Sequence, residues 1–240
     1  MGFWNFDPHQ PCTASRRPIG PARFIEALFS NLAGLLLCNL LFLLCCAPLL
    51  TLGPACVALH RVCCLALRGH GGALPAAFLR SFKQNFAQGL ALGFTGLPIL
   101  CWLACTALAA ASQGRFGLLA GAGAALVVLA GIWGYALLLA AHMELSFPLL
   151  LKHAAVLWAA GRQASVAGSV LALAILCAGA LWFPASLPLL FLLGFSLACF
   201  SFCFFGWKTA ERHIFLPYYR RHPEEAAAQG YRFDREGNPV

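Results

Sequence analysis

Leu43–Arg61 reads LLCCAPLLTLGPACVALHR, and its reading decides the fold. An apolar run long enough to enter a bilayer stops at Pro48, turns through TLGP (Thr51–Pro54) and restarts. The restarted arm carries His60 and Arg61 midway along what should be an apolar helix. Pro54 suits the first turn of a helix, where its missing N–H removes no bond. In the arm 54–68, Val57, Leu59, Val62, Leu65 and Leu67 favour insertion by roughly 0.3–0.6 kcal/mol each, while a central arginine opposes it by about 2.5–3.5 kcal/mol. The balance is near zero. This arm is expected to insert only as the return half of a hairpin with the run before it.

Outward from that hairpin, the chain is apolar almost throughout. Of its 240 residues, 61% are hydrophobic and 10% charged, with a mean hydropathy of +0.78. An average soluble domain has roughly a quarter of its residues charged. Several windows approach or exceed the ~20 apolar residues that cross hydrocarbon. The fold class is all-α: a polytopic transmembrane helical bundle whose first partner is the lipid bilayer. Five strong spans are expected at about 24–50, 89–111, 117–141, 164–183 and 187–206, with 54–68 as the marginal sixth. Residues 1–23, with Phe3, Trp4 and Phe6, read as an interfacial segment. Residues 24–206 form the membrane domain, and 207–240 a basic cytoplasmic tail. The first apolar run lacks a small-residue cleavage site after it, so it is expected to be retained as a span.

Between the hairpin and the next span lies AAFLRSFKQNFAQG (Ala76–Gly89). Phe78, Phe82 and Phe86 recur every four residues, while Arg80, Lys83, Gln84, Asn85 and Gln88 fall largely off that stripe. That pattern predicts an amphipathic helix over 75–88 in the headgroup plane. In the fourth span, Gly117 and Gly121 make a GxxxG, with Gly131 and Gly134 further along, as close helix packing in lipid requires. Pro148 is expected to start a further helix within 142–163.

Lys and Arg positions bear on orientation. If 54–68 crosses, Arg115 alone lies outside, both termini are cytoplasmic, and Arg61 is within the membrane. If it does not, Arg16, Arg17, Arg23 and Arg115 face away from the remaining cations. The positive-inside rule favours six crossings. A net charge of +8 without a soluble basic domain gives no reason to expect nucleic-acid binding.

The membrane-embedded polar candidates are Asn31, Asn39, His60 and Arg61, with Glu26 or Glu144 as the available ion-pair partners of Arg61. An intramembrane arginine is a functional candidate by default, and snorkelling to the headgroups is its competing explanation. Cys56, His60 and Cys63 or Cys64 fall on one helical face and offer soft metal ligands, but no fourth ligand is specified. Core packing explains Cys101/Cys105 and Cys199/Cys203 better than redox chemistry. No metal and no cofactor are therefore expected. GxxxxGK[ST], HExxH and GxSxG are all absent from the sequence, and no enzymatic activity is expected.

LLCNLLFLLCCAPLLTLGPACVAL (36–59), the start MGFWNFD and the FKQNFAQ segment (Phe82–Gln88) together resemble the YesL family of bacterial membrane proteins. The resemblance is close over about Phe24–Gly89. Where the family often has paired aromatics after TIGPA, this chain has His60 and Arg61. The resemblance implies an inner-membrane accessory or interaction component associated with ABC-type carbohydrate uptake, with a sugar importer as a membrane-protein partner. A channel or permease for a small neutral solute is the competing expectation.

Overall fold

The computed structural model describes residues 21–69, 73–143, 145–182 and 187–221, and these are helical with no strand among them. The helices are α1 (Pro21–Ser30), α2 (Leu32–Cys46), α3 (Leu52–Leu67), α4 (Leu74–Gln84), α5 (Phe86–Ser112) and α6 (Phe116–Ala140). Then follow α7 (Phe147–Ala160), α8 (Arg162–Leu181), α9 (Leu187–Leu189), α10 (Phe195–Ala210) and α11 (Leu216–Arg221). Among the described residues, five helical stretches are long and apolar enough to cross a membrane: Leu49–Leu67, Phe86–Ser112, Phe116–Ala140, Arg162–Leu181 and Leu190–Tyr218.

The arm judged marginal is the centre of the bundle. A 3-10 turn, Leu49–Thr51, extends α3 upstream of Pro54, and 61% of the apolar stretch in this span is buried by protein, against 17% in α5. Neighbouring helices, not lipid, surround its polar groups, so the single-helix insertion balance does not apply to it. The first strong span, by contrast, is broken. α1 and α2 meet at 73° around Asn31, and α2 alone, at 15 residues, is about 22 Å long. That falls short of the ~30 Å hydrocarbon core.

Helices pack closely where glycine permits it. A Cβ on Gly53 would lie 2.1 Å from the carbonyl oxygen of Gly89 and 2.8 Å from the backbone of Gly93, so α3 and α5 touch backbone to backbone. Gly96 receives the indole of Trp133, and Gly134 receives the ring of Phe202. Gly117 and Gly121, the GxxxG expected to pack, meet nothing within 4 Å. The close-packing pair is instead Gly89 and Gly93.

The amphipathic stretch also differs from its expected form. α4 ends at Gln84, Asn85 bonds back to Ser81, and Phe86 opens α5. Phe78 and Phe82 stack at 6.5 Å, and Phe82 meets Phe86 edge-on at 5.7 Å. Phe78 is fully buried and belongs to the core, so the stripe faces protein more than headgroups. Phe78→Ser is expected to lower unfolding stability by about 3–5 kcal/mol, the usual range for deleting a buried phenyl ring. Phe86→Ser, at a position 38% exposed, should change it far less. Thermal unfolding in detergent separates the two.

At the C-terminal end, helix continues well past residue 206. Two π-turns, Leu190–Gly194 and Glu211–Phe215, flank α10 and join it to α9 and α11. Helix therefore runs across the expected tail boundary at 207 as far as Arg221. Most of the expected interfacial segment (1–20) and the remaining tail (222–240) lie outside the described residues.

Candidate functional site

One end of the bundle gathers the ends of α3, α6 and α10 with the start of α5. Nη1 of Arg61 donates to the carbonyl oxygen of Ala141 at 3.1 Å, at the C-terminus of α6. The last carbonyls of a helix lack internal partners and carry its negative dipole end. A cation in the second arm of the hairpin is thus accounted for, at least in part: it caps a neighbouring helix. Arg68 lies over the ring of Trp207 at 5.6 Å, a cation–π contact. Trp207 stacks on Phe215 at 5.0 Å, and His142 packs against both rings. Gln88 reaches the carbonyl of Leu145 at 3.0 Å, fixing α5 to the loop after α6.

His142 sits just beyond α6, with Nδ1 2.9 Å from the carbonyl of Leu138. Burial, and then the positive charge of Arg61, push its pKa well below the usual histidine range. The imidazole is therefore neutral at pH 7, and Nδ1–H is the donor. Of the two carboxylates considered for Arg61, Glu26 is exposed on α1, and Glu144 lies outside the described residues.

The two asparagines tie backbone to backbone. At the α1/α2 break, Asn31 donates to the carbonyl of Ala27 at 2.9 Å and lies 3.5 Å from that of Ala66. Asn39 is fully buried. Its Nδ2 donates to the carbonyls of Leu190 (3.2 Å) and Phe191 (2.7 Å), and its Oδ1 accepts from the backbone N–H of Ser196 (2.9 Å). A π-turn leaves backbone groups out of the regular helical ladder. Asn39 supplies the missing partners for the turn at Leu190–Gly194. Both polar side chains are thus explained by structure.

His60 lies deeper, on the face of α3 turned to α10. Its Nδ1 is 2.8 Å from the carbonyl of Cys56, and its ring meets Phe202 edge-on at 6.1 Å. Cys63, Cys64, Cys199 and Cys203 are buried around it. Cys101 and Cys105, expected to serve core packing, are exposed on α5. His60, Cys56 and Cys199 also border a cavity of about 210 Å³ whose remaining wall is nearly all apolar, including Trp133, Leu137 and Phe202. Close by, Trp158 Nε1 is buried without a hydrogen-bond acceptor.

The sequence reading placed His60 and Arg61 on one helix, with Glu26 or Glu144 offered to Arg61 and Cys56, Cys63 or Cys64 grouped with His60, and the contacts from α6 and α10 lay outside it. Arg61 meets α6, some 80 positions away; Cys199 and Cys203 come to His60 from the other end of the chain. Of the interfacial residues, Arg80, Lys83 and Gln84 are exposed, while Asn85 is buried and Gln88 half-buried.

No curated protein and no solved structure matches the chain. Residues 35–107 match a family described as "Protein of unknown function, DUF624". The matched stretch takes in most of α2, all of α3 and α4, and the larger part of α5, and so contains the backbone contact between α3 and α5.

Proposed function

We propose that the chain is a YesL-type integral protein of the bacterial inner membrane that acts as a non-enzymatic accessory, holding a membrane-protein partner rather than processing a substrate. The observation that carries this reading is the use of its interior polar side chains. Asn31, Asn39 and Ser196 hydrogen-bond to backbone groups or to one another inside the bundle, and Arg61 bonds to the end of α6. A solute pathway needs polar groups directed into a passage, and these are directed into packing. The placement beside an ABC-type carbohydrate importer rests on the family resemblance alone.

In this reading the cytoplasmic side is the end holding Arg68, Arg80, Lys83, Lys152, Arg162 and Lys208, with Arg115 opposite, as the positive-inside rule favours. Both termini are then cytoplasmic. The partner docks on α4, α7 and the end of α10. α7 suits that use: Leu150, Ala154 and Leu157 bury one stripe, while Lys152, Ala155 and Val156 face outward.

Crosslinking in native membranes from single cysteines introduced at Lys152 and Val156 is expected to capture a discrete membrane protein. Cysteine at Gly121, on the far half of α6, should not capture it. Absence of any specific adduct from Lys152 and Val156 would argue against the accessory role. The second reading, a channel or permease for a small neutral solute, is favoured by the mid-bundle cavity. It requires solute flux in liposomes containing the purified protein alone, and the accessory role requires none.

A further inference from the structure

The contact between α3 and α10 concentrates soft donor atoms. His60, Cys199 and Cys203 bring one imidazole nitrogen and two sulfurs within 4.8 Å of one another. All three residues are buried. Cys63, on the turn of α3 after His60 and fully buried, turns its Sγ toward α10, 3.7 Å from the carbonyl of Ser196, three residues before Cys199. Two helices far apart in the chain thus bring one nitrogen and two sulfurs together, with the Cys63 sulfur turned to the same stretch of α10. Cys199 and Cys203 are one turn apart, so both sulfurs face α3 from the same side of α10.

The orientation of the imidazole is fixed. A carbonyl only accepts, so Nδ1 carries the proton that it shares with the oxygen of Cys56. Nε2 then keeps its lone pair. Metal-ligating histidines bind in this way, with the second ring nitrogen donating to a carbonyl or carboxylate.

Packing alone gives a weaker account of the cluster. Cysteine is a good small core residue, but thiols are weak hydrogen-bond partners for an imidazole removed from water. A cation satisfies all four donors together. Bond lengths of ≈ 2.3 Å to sulfur and ≈ 2.0–2.1 Å to nitrogen set a tetrahedral edge of roughly 3.5–3.8 Å. The separations among His60, Cys199 and Cys203, at most 4.8 Å, exceed that edge by about 1 Å, a distance side-chain rotation covers. The 210 Å³ cavity, bordered by His60 and Cys199, lies against the cluster.

We propose that His60, Cys63, Cys199 and Cys203 form a buried site for a soft closed-shell metal cation, Zn(II) or Cu(I), that clamps α3 to α10. Thiolate and imidazole ligands select these ions. Each coordinating thiol releases its proton to water as the metal–sulfur bond forms, and no sulfur changes oxidation state.

The test uses the full chain, purified in detergent under reducing conditions and loaded separately with Zn(II) or Cu(I). Elemental analysis after removal of loosely held metal should find about one ion per chain with one of the two metals, as one four-ligand site requires. Cys63→Ser and Cys203→Ser should weaken binding by more than the roughly 10–100-fold typical of losing an outer-shell partner. Cys105→Ser and Cys177→Ser, at exposed positions, should bind as wild type.

A readout on the wild-type chain avoids dependence on variant folding. Metal loading should slow alkylation of Cys63, Cys199 and Cys203, followed by peptide mass spectrometry, and leave Cys101, Cys105 and Cys177 unaffected. Substoichiometric metal with both ions, or protection falling only on the exposed cysteines, overturns the proposal. Wild-type affinity in a folded Cys63→Ser or Cys203→Ser protein does the same. None of these outcomes bears on partner binding, so the accessory reading is tested separately.

Discussion

Asn39→Leu is expected to destabilise the bundle by about 2–5 kcal/mol, although leucine is the better lipid-phase residue. The side chain serves three backbone groups at once: two carbonyls of the π-turn at Leu190 and Phe191, and the N–H of Ser196. Leucine leaves these groups without their side-chain partner in a region closed to water. An unsatisfied buried polar group typically costs about 1–3 kcal/mol, and membrane-phase reference states reduce that, with interhelical bonds averaging ≈ 0.6 kcal/mol in measured cycles. The effect should be largest at α9 and the π-turn, where the helix would re-register or fray.

A thermodynamic cycle with Ser196→Ala checks the assignment, because the Ser196 hydroxyl also lies 3.3 Å from Asn39 Oδ1. Coupling of 0.5 kcal/mol or more is expected for residues in one network. Additive effects, or an Asn39→Leu protein melting with wild type, would mean that the turn does not depend on this side chain.

The second large effect belongs to Gly53. In Gly53→Val the new Cβ would stand 2.1 Å from one backbone oxygen and 2.8 Å from backbone atoms of Gly93. No rotamer relieves a clash with main chain; α3 and α5 must separate. Overpacking a core usually costs about 1–3 kcal/mol, and this case should exceed that range because both surfaces are rigid. Folded protein should be lost from membranes, as read by size-exclusion of a detergent extract. Gly89→Val should match it, since its Cβ would be 2.6 Å from the Cα of Pro54. Gly121→Val, facing nothing within 4 Å, should accumulate normally. Equal behaviour of Gly53→Val and Gly121→Val would remove the α3/α5 contact as the organising feature.

These two sites show where sequence reading reached and where it stopped. Apolar length alone located α5, α6 and α8 to within about three residues of their bounds, because lipid imposes a minimum span whatever the packing. It read 54–68 as a marginal span needing a neighbour but not how deeply Leu49–Leu67 is enclosed, since insertion energies describe one helix against lipid and this helix is sheathed by others. Asn31 was recognised as polar but not as the point where a run long enough to span turns through 73°. Gly117 and Gly121 satisfied the small-residue spacing, and so did Gly89 and Gly93; spacing cannot report which face has a neighbour. His60 was legible as an unusual residue, whereas its convergence with Cys199 and Cys203 depends on long-range packing that no local pattern encodes.

The unequal heights of the helices have a further consequence. The stretch Leu190–Tyr218, at 29 residues, and α5, at 27, rise about 40 Å, while Leu49–Leu67, at 19, rises about 28 Å. α5, 17% buried by protein, thus stands taller than the enclosed Leu49–Leu67 stretch, 61% buried, against which it packs. Bilayer thickness is therefore sensed by lipid-facing helices such as α5, which answer mismatch by tilting, and the enclosed helix is shielded from that strain. Whatever α3 positions, its depth is set by protein contacts and stays constant as the surrounding lipid changes.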